Sequence, residues 1–181
     1  MKAASPHDKF YRKFRKPADG KTLIVGSHLY GEREDRRKLY PDAVGVDMLD
    51  GPGVDVVADL EDWGATRRHL RPGSFAHIEC RSVLEHSRRP WLMAQHIEKL
   101  LAPGGTLDIS APFVWRPHGY PSDYFRYTAE GIRSLFQGIE WRAMMYATGR
   151  NLSKVAKLEG QNVDRAVYLA RCEVLGWGVK A

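Results

Sequence analysis

Gly26 and Gly31 close a turn directly behind the apolar run Thr22-Leu23-Ile24-Val25, and Asp47 follows Gly26 at the distance, about twenty residues, that ribose-binding carboxylates keep from such turns. An apolar strand opening into a glycine turn lets backbone N–H groups meet a ligand, and the later carboxylate can accept from ribose hydroxyls. The pattern reads as a nucleotide-type cofactor site. It is incomplete, because His28 stands where a second glycine would bring the backbone closest to the ligand. Further along, Trp115, Arg116, His118, Tyr120, Asp123, Tyr124, Arg126 and Tyr127 mix aromatic and charged side chains in one stretch, as loops that shape substrate pockets do. Within it the planar guanidinium of Arg126 could clamp a substrate carboxylate or phosphate, or pair with Asp123. Cys80 and Cys172 are too few for a disulfide framework, and no Cys-x-x-Cys or His-x-x-x-His spacing is present, so no metal is expected.

Short apolar runs and helical segments alternate along the chain. Strands are predicted at 22–25, 43–46, 55–58, 75–79 and 106–110, and helices at 32–39, 61–70 and 91–101, the last with Leu92, Gln95, Ile97, Leu100 and Leu101 near one face. Pro41, Pro72-Gly73 and Pro103-Gly104-Gly105 punctuate them. Such alternation specifies a parallel sheet with helices on both faces. After Thr128, which can cap a helix to Phe136, two longer strand-like runs at 140–147 and 166–175 suit an antiparallel pair at the end of the sheet, joined by a hydrophilic projection over 149–164. The expected fold is α/β: a Rossmann-like doubly wound sheet, mostly parallel, of seven strands with a terminal antiparallel pair.

The whole reads as a basic N-terminal arm over 1–20 followed by a single domain over 21–181. Six basic and two acidic residues before Gly20 supply +4 of the formal net charge of +6, a head that could meet phosphate-rich surfaces such as nucleic acid but reads more simply as a solvated arm. Phe10, Tyr11 and Phe14 within it suit a short amphipathic helix docked on the body. No apolar run approaches the ~20 residues of a membrane span and no signal-peptide core follows Met1, so a cytoplasmic protein is expected.

Five segments fall in one order: the glycine turn, Asp47 after the second strand, Asp59-Leu60 after the third, 80–86 after the fourth, and Pro103-Gly104-Gly105 before the fifth. With these, and with Ser82-Val83-Leu84-Glu85-His86, Leu100-Leu101-Ala102-Pro103-Gly104-Gly105-Thr106-Leu107 and the 121–128 loop, the chain resembles the class I S-adenosylmethionine-dependent methyltransferases, in particular the small-molecule branch grouped as type 11. The resemblance implies S-adenosylmethionine as cofactor and a small molecule, or a glycan or lipid precursor, as substrate. It implies that Gly26, Ser27, His28 and Gly31 approach the methionine part of the cofactor, and that Asp47, with Met48 beside it, holds the ribose. Asp59 and Leu60 would read the adenine, and Cys80 and Arg81 would line the floor. His86 and His118 are the candidate bases nearest the expected methyl position, and Trp115, Tyr120, Asp123, Tyr124 and Arg126 the candidate substrate residues.

The chain departs from the family's pattern at His28, Tyr30, Ile24 and Ala76, and His28 could cap the amino-acid end of the cofactor instead. Two other readings stay open. A catalytically silent methyltransferase-like binding module accommodates the altered turn, and an NAD-dependent oxidoreductase accommodates the two remaining glycines and Asp47. Nucleic-acid methylation is disfavoured, because no Asn/Asp-Pro-Pro-Tyr/Phe motif occurs.

Overall fold

Strand β1 (Thr22–Val25) is buried at all four positions, as expected of an apolar run that lies between covered faces. It is an interior strand of the sheet in the computed structural model, which describes residues 6–14, 20–31, 34–119, 122–148 and 172–181. On one side β1 pairs in parallel with β2 (Ala43–Asp47), which pairs with β3 (Val56–Val57). On the other it pairs with β4 (Phe75–Arg81), itself parallel to β5 (Leu101–Val114). The last strands, β6 (Ile139–Thr148) and β7 (Cys172–Lys180), are antiparallel, with β7 inserted between β5 and β6. The order is β3-β2-β1-β4-β5-β7-β6, the seven-stranded, mostly parallel sheet with an antiparallel end that the alternation predicts.

Helix α1 (Pro6–Phe14) lies on the β5–β7–β6 end, where Phe10 and Tyr11 join Ala147 and Leu175 in a small core and Phe14 stacks on Trp177 at 5.3 Å. The expected amphipathic helix therefore forms within the first twenty residues. Helix α2 (Trp63–His69) begins at Asp62, whose carboxylate accepts from Ala65 N–H at the helix entry. Helix α3 (Pro90–Leu100) starts on a proline at its first turn and buries Met93, Ala94, Ile97 and Leu100. Gln95 is exposed, so the buried face is turned by one residue from the predicted one: the i, i+4, i+7 row that meets the sheet starts at Met93. Helix α4 (Ala129–Leu135) is capped by the Thr128 hydroxyl, as expected.

Most elements shift by one or two residues from their predicted bounds, and three differ more. The helix expected over 32–39 is, among the described residues, a single 3₁₀ turn, Arg36–Leu39, because Asp35 caps it at Arg37 N–H while Arg36 and Arg37 reach out to Glu79 and Asp55. Pro103-Gly104-Gly105 does not precede β5 but bulges out of it, between the Phe75–Leu101 and His77–Thr106 pairings. The final strand runs to Lys180 instead of ending at Leu175. Its glycines weaken a strand reading, yet a Cβ at Gly176 would lie 2.7 Å from the Trp141 ring, so the missing side chain makes room for a neighbour. Residues 166–171 and the 149–164 segment lie outside the described residues.

The two faces of β4 and β5 differ in kind. Ile78, Cys80, Leu107 and Ile109 join the main apolar core with α3 and α4. On the opposite face His77, Glu79, Arg81 and Asp108 are buried or nearly so beside Tyr11, Arg36 and Tyr40. The guanidinium of Arg81 stacks 3.5 Å above the Tyr11 ring, and the Tyr11 hydroxyl donates to the Ile109 carbonyl. This polar layer fastens α1 to the sheet and, through Arg81, reaches the cavity described next.

Candidate functional site

The carboxyl ends of β1, β2, β3 and β4 open onto one cavity of about 1180 Å³, larger than the ~300–1,000 Å³ usual for a single small ligand. This is where open parallel sheets place their ligands. Gly26 ends β1 with φ +69°, and a Cβ there would lie 2.5 Å from a methyl of Val83. Gly26→Ala is accordingly expected to lower stability by about 2 kcal/mol or more, from the left-handed backbone and the Val83 overlap together, read as the shift in a thermal or urea unfolding midpoint.

Position 28 explains how the turn works with a histidine in it. The His28 ring packs on Tyr30 at 4.4 Å, and a Cβ on Gly51 would sit 2.2 Å from His28 Nε2. The space that the family's pattern obtains from a glycine in the turn is supplied from across it, by Gly51 in the β2–β3 loop. His28 N–H donates to Asp47 Oδ2 at 3.2 Å, and Leu49 N–H to Asp47 Oδ1 at 3.0 Å. The Asp47 carboxylate is thereby fixed at the end of β2 with lone pairs to spare. Two buried polar atoms at this end, Ser27 Oγ and His28 Nδ1, have no partner among the described residues.

Asp59 closes a turn by accepting from Glu61 N–H at 2.8 Å and stands on the cavity wall next to Leu60. The Leu60 carbonyl is held by His96 Nδ1 at 2.6 Å, and the His96 ring stacks on Trp63. Met48 and Arg81 also line the cavity. Gly31 and Cys80 do not: Gly31 is exposed, and the Cys80 thiol is fully buried, where burial pushes its pKa up.

The other end of the cavity is built by the 3₁₀ turn Leu84–His86 and the loop after β5. Ser82, at φ +52°, turns the chain out of β4, and its hydroxyl donates to Glu173 Oε1. Tyr124 N–H donates to the Glu85 carbonyl at 2.7 Å and the Tyr127 hydroxyl to the Leu84 carbonyl at 2.8 Å, binding loop to turn. His86 and His118 meet edge to face, 5.0 Å between ring centres. Burial pulls His86 below the usual histidine range, outweighing the hydrogen bond to the Ser122 carbonyl that raises it.

Trp115, His118 and Tyr124 line this end, the Tyr124 hydroxyl accepting from Arg88 Nε at 2.8 Å. Asp123 and Arg126 do not line it. Arg126 grips Asp123 through both carboxylate oxygens and donates to the Trp115 and Arg116 carbonyls, which depresses Asp123 to about 2. The pair is an internal clamp that shapes the loop. Tyr120 lies outside the described residues.

Two buried cavity carboxylates escaped the reading of the sequence, Glu85 and Glu173. Glu85 is 1% exposed, its Oε2 has no partner among the described residues, and burial, with Glu173 and Asp123 adding to it, pushes its pKa up to about 8. A glutamate in a run of apolar residues beside a histidine was the available signal. Its meaning depends on the burial of the turn, which local sequence does not state.

The strand order and the placement of the cavity define the fold of the class I S-adenosylmethionine-dependent methyltransferases. No protein-family model matches the chain, and no curated protein sequence matches it. Among solved structures it is similar to a chain of the complex between the Haloferax volcanii Trm112 methyltransferase activator and a methyltransferase, at 17% identity and TM-score 0.65, over 96% of this chain and 88% of that one. It is similar to the N-methyltransferase NodS from Bradyrhizobium japonicum WM9 in complex with S-adenosyl-L-homocysteine, at 13% identity and TM-score 0.59, over 98% and 89%. It is equally similar in fold to the [4+2]-cyclase SpnF, at 15% identity and TM-score 0.65, over 99% and 84%. Among the described residues, no helix is long and apolar enough to cross a membrane.

Proposed function

We propose that the chain is an S-adenosylmethionine-dependent methyltransferase acting on a small molecule or on a glycan or lipid precursor. The observation that carries this reading is the convergence of Gly26, Ser27, His28, Asp47 and Asp59 on one end of a cavity whose other end holds His86 and His118. The unpartnered Ser27 Oγ and His28 Nδ1 fit the charged amino-acid part of the cofactor, and the fixed Asp47 carboxylate fits its ribose. Asp59 and the Leu60 backbone fit the adenine.

The cofactor supplies a methyl group on a sulfonium centre, already activated toward a nucleophile. The chain's own task is then to align the acceptor, exclude water and take up a proton where the acceptor carries one. Trp115 and Tyr124 wall the acceptor end, and the Asp123–Arg126 clamp keeps the loop that carries Trp115 and His118 against the Leu84–His86 turn. His86, with its pKa lowered by burial, is neutral near pH 7 and able to accept a proton.

Isothermal titration calorimetry with S-adenosylhomocysteine and with NAD tests the reading. Binding of the first at micromolar Kd and no binding of the second is the expected result. Binding of NAD alone would assign an oxidoreductase, and binding of neither a silent module. His28→Gly, which removes one of the unpartnered atoms, is expected to weaken S-adenosylhomocysteine about tenfold, the loss of one hydrogen bond of ~1.4 kcal/mol. An unchanged Kd would remove the capping role.

A further inference from the structure

Three side chains able to ligate a metal meet at the acceptor end of the cavity. One ligand atom from each of Glu85, His86 and His118 lies within 4.8 Å of the other two. Among the described residues Glu85 Oε2 is buried and has no partner, and Glu85 Oε1 stands 3.8 Å from His86 Nε2, beyond hydrogen-bond reach.

Both imidazoles are held in the tautomer that leaves Nε2 without a hydrogen. His86 Nδ1 lies 2.5 Å from the Ser122 carbonyl oxygen, which can only accept, so Nδ1 carries the hydrogen and Nε2 the lone pair. His118 Nδ1 faces two acceptors, Asp123 Oδ2 at 3.2 Å and the Arg116 carbonyl at 3.3 Å, which selects the same tautomer. A ring whose outer nitrogen donates to a carboxylate or a carbonyl, leaving the inner one bare, is the arrangement of metal-ligating histidines. Asp123 is in turn fixed by Arg126, so the orienting groups are themselves anchored.

We propose that Glu85, His86 and His118 form a binding site for one divalent transition-metal cation. Two imidazoles and one carboxylate suit manganese, iron, cobalt or zinc better than magnesium or calcium, which prefer all-oxygen surroundings. Ligand atoms at ~2.0–2.2 Å from a common ion stand ~3–4 Å apart, so a movement of about 1 Å brings this set to coordinating distance. All three residues line the cavity, so the remaining coordination positions face its interior. Resting on the methyltransferase reading, this assigns the acceptor as an oxygen nucleophile, a hydroxyl that the cation would acidify, with His86 then holding the ion instead of taking up the proton.

A second cluster shows why donor proximity alone does not make a site. His77, Glu79 and Asp108 are also close together and buried, but Arg36 and Arg81 already neutralise the two carboxylates. No guanidinium pairs with Glu85 in the same way among the described residues.

The test is titration of the EDTA-treated full chain with cobalt(II) chloride, followed by visible absorption, and with manganese(II) and zinc(II) by calorimetry. One equivalent is expected at micromolar Kd, with affinity falling at least tenfold in Glu85→Gln and in His118→Ala and unchanged in the exposed control His69→Ala. His118→Ala removes a partly exposed loop side chain, and its thermal midpoint identifies any loss that comes from unfolding. Absence of stoichiometric binding, or binding that survives both substitutions in folded protein, overturns the proposal. S-adenosylhomocysteine is titrated separately into the same samples. Cofactor binding without metal binding sinks the metal site alone, and metal binding without cofactor binding sinks the methyltransferase reading alone.

Discussion

Asp47→Ala is expected to weaken S-adenosylhomocysteine binding about 100-fold, measured by calorimetry. The carboxylate ends β2 at the cavity, held by the N–H groups of His28 and Leu49, so it needs no reordering to accept from a vicinal diol. A hydrogen bond to a charged group is worth ~1.5–3 kcal/mol, and two of them, less the solvation that each regains, leave ~2.7 kcal/mol, the equivalent of that factor. The substitution also releases the two N–H groups that set the turn, so part of the effect comes from the loosened cradle. Asp47→Asn, which keeps one acceptor oxygen, should fall between wild type and alanine. Asp59→Ala serves as the comparison: Asp59 is exposed, and its loss should cost less than tenfold. A Kd for Asp47→Ala within threefold of wild type would show that the ribose lies elsewhere.

The largest effect on stability is expected at Glu79, which does not itself line the cavity. Its fully buried carboxylate accepts from the Tyr40 hydroxyl at 3.0 Å, pairs with Arg81 at 2.6 Å and is gripped by Arg36. Glu79→Ala leaves the positive charges of Arg36 and Arg81 without this counter-ion in a water-poor layer, a change that costs ~3–5 kcal/mol. For a domain of this size that lowers the thermal midpoint by about 10–15 °C. Burial alone would raise the Glu79 carboxyl pKa, but the two guanidiniums outweigh it and hold it below the ordinary value. A group with a depressed folded pKa contributes stability that is complete above its unfolded pKa and lost as pH falls through the folded one. The wild-type protein should therefore lose part of its stability in acid, below about pH 4, and Glu79→Ala should lose less of its own over the same range. A double substitution of Glu79 and Arg36 by methionine should recover part of the midpoint, because it removes an opposing pair instead of orphaning one charge. If Glu79→Ala unfolds within about 2 °C of wild type, the layer is solvated and the pairing contributes little.

The same layer shows where the sequence was legible and where it misled. In β4 and β5 the alternation His77-Ile78-Glu79-Cys80-Arg81 and Thr106-Leu107-Asp108-Ile109-Ser110 has the period of a sheet with one face in water. The polar face is instead buried, covered by α1 and by the 3₁₀ turn that carries Arg36. Period 2 reports which residues share a face. It does not report what lies over that face, and here the cover comes from residues 98 and 43 positions away, through Tyr11 and Arg36.

The succession of strands and helices, by contrast, was readable because each of its determinants is local: an apolar run long enough for one strand, a proline or glycine to stop it, a capped helix to return the chain. The same holds for Gly26 and Asp47, whose spacing along the chain follows from one strand–turn–strand unit. The altered turn at His28 was legible as a departure but not as a solution, since the compensating Gly51 lies in a different loop and meets it only once both loops fold together.

The amino-acid sequence by itself thus determined the sheet, its antiparallel end and the strand ends at which a nucleotide-type cofactor would sit, all of them consequences of short-range periodicity and punctuation. Only the tertiary structure decided that Asp123 and Arg126 clamp each other instead of facing the cavity, and that Glu85, His86 and His118 converge. His86 and His118 stand on different loops, and no ligand spacing written along the chain announces them. What joins them is the binding of the loop after β5 to the Leu84–His86 turn, through backbone hydrogen bonds that any sequence could make and that only the packed sheet brings into reach.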